Sequence, residues 1–236
     1  MTPRERLTEI LNLKTTQLLE IEGFKFNPSK SQFTRTVNRI KQIIYFEGSK
    51  WNYSDAVADY RLLCRFEIKD FPKWYLENYK TDQATHHQGK VTNKSVSAPS
   101  PFEPYNQNWD NSTQASTGRY DFVKYPKEEI SESIFYNVKV CILPHLNHCS
   151  NYSGIADKAK VPLDKFDFYM MDGNIDVAKS ILLDLKAQID EVDINSIDVN
   201  DTFQLKWLKN TFNMYNIRVE TFFPDCEKVT IVLPEK

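Results

Sequence analysis

Leu7, Ile10, Leu11, Leu18 and Ile21 recur at a helical period with polar residues between them, which predicts an amphipathic helix over residues 2–22. Thr2 can cap it, Pro3 suits its first turn, and Gly23 can end it by adopting a left-handed backbone. The period then falls to two. Phe24 and Phe26 flank Lys25, Phe33 and Arg35 flank Thr34, and Ile40, Ile43, Ile44, Tyr45 and Phe46 form a β-prone run closed by Gly48-Ser49. Asn27-Pro28-Ser29-Lys30 reads as a turn, and residues 60–68 as a further strand. Short connections of this kind predict an antiparallel meander with one face against the first helix. Pro72 excludes a central strand and opens a short helix through Tyr79.

Residues 80–129 are rich in Ser, Thr, Asn, Gln and Pro, yet Phe102, Tyr105, Trp109, Tyr120, Phe122 and Tyr125 recur among them. Disordered segments are poor in aromatics, so this stretch reads as a surface insertion pinned by its rings, with a binding flap as the functional alternative. Residues 134–143 read as a strand that Pro144 stops. Ala178, Ile181, Leu182, Leu185 and Ile189 place a helix over 175–189, capped by Asn174 or Asp172. A second helix is expected over 201–214, with strands over 214–223 and 228–233. The expected fold is α+β: an antiparallel sheet of five or more strands packed against an N-terminal helix and C-terminal helices, with a long irregular insertion. It is read as a single domain over residues 1–236.

A chain of 236 residues, 41% hydrophobic, can bury a substantial core. A net charge of −2 and a pI near 6.1 argue against a dedicated nucleic-acid binder, which carries a basic excess to neutralise phosphates. Charge is uneven, however. Lys14, Lys25, Lys30, Arg35, Arg39, Lys41 and Lys50 lie early, whereas Asp184, Asp190, Glu191, Asp193, Asp198 and Asp201 lie late. Cys64, Cys141, Cys149 and Cys226 are too widely spaced for a disulfide scaffold. Neither a signal peptide nor an apolar run of membrane-spanning length is read, so a cytoplasmic protein is expected.

The sharpest candidate for metal chemistry is Cys141, His145, His148 and Cys149, all zinc-ligand types. Four ligands within nine consecutive residues rarely wrap one ion, so no metal or other cofactor is expected. His86-His87 could add ligands only from the insertion. A Cys149–His145 dyad is conceivable, since a thiolate needs a nearby base. No nucleophile elbow, phosphate loop or dinucleotide fingerprint occurs, and the six glycines are few for phosphate-cradling loops. Asp193-Ile194-Asn195 starts like a calcium loop but lacks its glycine and later glutamate. A strip of aromatics and charges near a strand end, Tyr45, Glu47, Lys50, Trp51, Asn52 and Tyr53, is of the type favoured at protein interfaces. Arg35 and Arg39 on neighbouring strands could join it. The candidate partner-binding set is therefore Arg35, Glu47, Lys50, Trp51 and Asn52.

The order helix, Gly23-Phe24, Phe33-x-Arg35, then a β-run ending Gly48-Ser49-Lys50-Trp51-Asn52 resembles the bacterial domain of unknown function 4304 over residues 7–70. That family carries no established catalytic residues to transfer. Some members look like immunity-type proteins encoded beside toxins, so the resemblance implies a binding role. The expected function is a non-enzymatic module that binds another protein and inserts in no membrane. Two alternatives remain: a metal-dependent or cysteine hydrolase using residues 141–149, and a nucleic-acid binder using Lys25, Arg35, Arg39 and Lys41.

Overall fold

The N-terminal helix of the computed structural model begins as its sequence dictates. Thr2 caps α1 (Pro3–Leu13), its hydroxyl accepting from the Glu5 N–H at 3.2 Å while the Glu5 carboxylate accepts from the Thr2 N–H at 2.7 Å. The Thr2 N–H first, and the Thr2 hydroxyl second, hold the Glu5 carboxyl below its usual range by hydrogen-bonding to it. The expected single helix breaks at Lys14 and resumes as α2 (Thr15–Ile21), where two β-branched threonines weaken helical continuity. Gly23 then takes φ +82°. Its N–H reaches the Glu20 carbonyl and the Phe24 N–H reaches the Leu19 carbonyl, so α2 ends in a Schellman turn.

The description covers residues 1–50, 52–53, 58–80, 93–97, 119–123, 125–159, 161–192 and 202–230. By internal contacts the chain divides into two compact units, where the sequence reading took residues 1–236 together. The first comprises Met1–Lys69 and Thr92–Ser150, the second Asp70–Val91 and Asn151–Lys236.

The first unit is built on an antiparallel sheet, as the period-two pattern predicts. Its strands are β1 (Lys25–Asn27), β2 (Gln32–Val37), β3 (Ile40–Gly48), β4 (Asp59–Ile68), β5 (Asn93–Ser97) and β6 (Arg119–Asp121). The order is β1-β2-β3-β4, and both β5 and β6 pair with the far edge of β4. Both strands come from the interval read as an insertion. The pairs Phe33↔Ile44 and Ile44↔Cys64 set the register. Alternation therefore places Phe33, Ile40, Ile44, Phe46, Leu62, Cys64, Phe66 and Ile68 on one face, all buried. The other face carries Lys41, Tyr45, Glu47, Arg61, Arg65 and Glu67 around buried Ile43 and Leu63. Tyr120 and Phe122 are buried too, and Phe122 stacks on Tyr60 at 5.2 Å. Phe102, Tyr105 and Trp109 lie outside the described residues.

The segment expected to be a strand over residues 134–143 is helical, which corrects the reading. It comprises α4 (Lys127–Asn137), a π-turn (Val138–Ile142) and α5 (Leu143–His148). Its apolar run is a buried helix side, which periodicity over so short a stretch does not separate from a buried strand. Pro144 interrupts the run without ending the helix. Proline has no N–H to give the Val140 carbonyl and its ring would collide with it, and the chain widens instead, the Leu143 N–H reaching the Val138 carbonyl. Ser131 on α4 donates to the Ile10 carbonyl of α1 at 3.2 Å, and Lys127 pairs with Glu9 at 2.6 Å.

The second unit contains α3 (Phe71–Tyr79), α6 (Tyr152–Lys158), α7 (Pro162–Met171), α8 (Ile175–Asp190) and α9 (Thr202–Phe222). Its core joins Leu163 and Phe166 with Ala178, Leu182, Leu185 and Ile189, and with Leu208, Phe212, Tyr215 and Val219. α8 lies where the sequence places it, but Asn174 at its N-cap makes no side-chain capping bond and Asp172 ends α7. The strand expected over 214–223 is instead the second half of α9, because Met214, Tyr215, Arg218 and Val219 bury at helical spacing. Residues 228–230 carry no regular structure, and 231–233 lie outside the described residues.

Arg218 and Asp167 form an ion pair inside this unit, each side chain 1% exposed. Nε and Nη2 of Arg218 donate to the two Asp167 oxygens at 2.9 and 2.5 Å, and Nη1 donates to the Met214 carbonyl at 3.0 Å. The Tyr79 hydroxyl donates to the same carboxylate at 2.5 Å. Burial works against the guanidinium charge, but the Asp167 carboxylate outweighs it and holds Arg218 above its ordinary value.

Candidate functional site

The candidate partner strip sits where β3 hands over to β4. Gly48 fits closely there: a Cβ would come to 3.1 Å from both Asn52 Nδ2 and the Tyr60 ring, so a larger residue must push one of them aside. The chain then turns, with the Ser49 N–H bonded to the Asp59 carbonyl at 2.9 Å and the Asn52 N–H to the Ser49 carbonyl at 3.0 Å. The Asn52 side chain acts as a substitute strand neighbour. Its Nδ2 donates to the Asp59 carbonyl and its Oδ1 accepts from the Asp59 N–H, both at 2.8 Å. Burial pushes the Tyr60 phenol up, with Asn52 opposing the shift through a hydrogen bond. The strand end is thus fixed from inside. Glu47 and Lys50 are exposed on it, and Tyr53 shows 62% of its surface. Lys30 is exposed at the same end, because the Phe46 N–H bonds the Ser31 carbonyl and brings the Pro28–Lys30 turn alongside. The Asn27-Pro28-Ser29-Lys30 turn was visible in the sequence, but not its proximity to Glu47.

Arg35 is not part of this surface. It pairs with Gln42 across β2 and β3, on the helix-covered face, whereas Glu47 pairs with Arg61 on the other face. Arg35 Nε donates to Gln42 Oε1 at 2.8 Å, Nη1 to the Glu22 carbonyl at 2.8 Å, and Nη2 to Asn147 Oδ1. Its guanidinium lies 4.5 Å from the centre of the Phe24 ring. Burial pushes its pKa down, with Glu22 opposing. Gln42 completes the arrangement by donating to the Leu146 carbonyl at 2.5 Å. Arg35 therefore binds the end of α2 and the last turn of α5 to the sheet. Of the five candidate residues, Glu47 and Lys50 face outward, Asn52 and Arg35 face inward, and Trp51 lies outside the described residues.

The zinc-type residues do not converge. Cys141, His145 and Cys149 are buried on the inner side of the π-turn and α5, and His148 is exposed. The His145 ring lies against Phe66 at 5.6 Å between centroids. Burial pushes the Cys141 thiol up to about 11, away from a thiolate at neutral pH. Cys149 is wholly buried and its carbonyl accepts from Gln42 at 3.4 Å, so the Cys149–His145 dyad has no open side. Among the described residues no group of three or more His, Cys, Asp and Glu is placed to hold a metal ion. His86-His87 and Asp193-Ile194-Asn195 lie outside them.

The basic set is dispersed as well. Lys25 is exposed on β1, Arg35 is engaged under the helices, and Lys41 is paired with Glu67 at 2.6 Å. Arg39 occupies the β2–β3 turn with φ +68°. No helix among the described residues is long and apolar enough to cross a membrane. No family model, curated protein or solved structure matches the chain.

Proposed function

We propose that this protein is a non-enzymatic, cytoplasmic binding module whose partner is another protein, and that it engages this partner through the β3–β4 end of the sheet. The observation carrying this reading is the Asn52 brace. Two hydrogen bonds to the Asp59 backbone hold the chain beside an exposed aromatic, Tyr53, and exposed charges at Glu47 and Lys50. Backbone already tied down by hydrogen bonds, as at Asn52, loses little conformational entropy on association, and tyrosine supplies large contact area at low entropic cost. Trp51, which adjoins Lys50 and Asn52 in the sequence, is included among the residues to be tested. Four free cysteines fit a reducing compartment. The toxin-neutralising form of this role rests on the resemblance of residues 7–70 to the domain of unknown function 4304. The hydrolase alternative gains nothing from the site geometry, since Cys141 and Cys149 are buried and His148 points elsewhere.

The test is capture of a stoichiometric partner from native lysate with tagged protein, followed by titration calorimetry against the purified partner. Tyr53→Ala and Lys50→Glu should each weaken binding about tenfold, or ~1.4 kcal/mol. Arg35→Ala should lower the unfolding midpoint of the protein while leaving the affinity of its folded fraction close to wild type. A partner bound equally well by the Tyr53→Ala, Lys50→Glu and Trp51→Ala variants would place the interface elsewhere.

A further inference from the structure

We draw no further inference here: the strongest candidate, the polar face of the sheet on which Tyr45 stacks against Arg65 and Lys41 pairs with Glu67, carries nothing because no feature of the described residues shows what covers it.

Discussion

Asp167 and Arg218 satisfy one another so completely that neither can be removed alone. Asp167→Leu would leave a guanidinium buried with its carboxylate gone and should destabilise the protein by about 3–5 kcal/mol in chemical denaturation. Adding Arg218→Met should recover most of that loss, because a well-filled apolar pair avoids desolvating two charges. A double variant as unstable as the single one would mean that the Tyr79 and Met214 bonds, rather than the ion pair, dominate. Nothing in the sequence announced this pair, since its members lie 51 residues apart on different helices. Arg35 presents the converse case. Its place on a strand was legible from the Phe33-x-Arg35 alternation, but alternation gives only the relative side of each residue. Which side the helices cover is decided by tertiary packing, and it is the side Arg35 occupies, with Glu22 and Asn147 as its partners.

Among the elements, strands, termini with local chemistry and α8 were readable, and the helical run of α4, the π-turn and α5 was not. Thr2, Gly23 and the two-residue alternation of β2–β4 act through near neighbours, so their consequences follow from residue order. The α4–α5 run contains Ile134, Phe135, Val138, Val140 and Ile142, residues that favour strands on propensity. Burial of one side against α1 and the sheet overrides that preference, and the π-turn absorbs Pro144. The β3–β4 loop was legible in composition only. Asn52 looked like a contact residue in a polar-aromatic strip, whereas it is the brace behind it. Asn52→Ala should cost about 1–3 kcal/mol through its two lost backbone partners. It should also weaken partner binding through a slower association rate, as an unbraced loop must order on contact. Unchanged stability together with unchanged binding would show that Asn52 does not brace the strand end.

At the scale of the whole molecule, the buried phenols and thiols give stability a direction in pH. Burial lifts Tyr75 from 10.0 to about 12 and Cys141 from 9.0 to about 11. Their folded forms hold protons that the unfolded chain releases earlier. The stabilisation is therefore complete below about pH 9, and it is lost as pH rises through 11 to 12. Circular dichroism followed alongside tyrosinate absorbance should show unfolding and phenol ionisation occurring together in that range. Ionisation of all tyrosines near pH 10 without unfolding would contradict the burial described. The two-unit division was not readable from sequence. Asp70–Tyr79 follows β4 directly, with no change in composition at the boundary, and belongs with helices more than 70 residues later.

The shared far edge of β4 has a consequence for how the chain can be cut and rejoined. β5 matches residues 67 down to 63 and β6 matches 61 down to 59, both in the same direction, with only Leu62 skipped between them. They are the two halves of one interrupted strand. The 21 residues from 98 to 118 stand where a single residue opposite Leu62 would suffice. Replacing them with one residue should give a continuous nine-residue edge strand and a protein that melts no lower than the parent, since a one-residue connection between the paired ends costs less closure entropy than a 21-residue one. Thermal melts of that shortened chain would decide it, and a collapsed transition would show that the fold depends on those 21 residues.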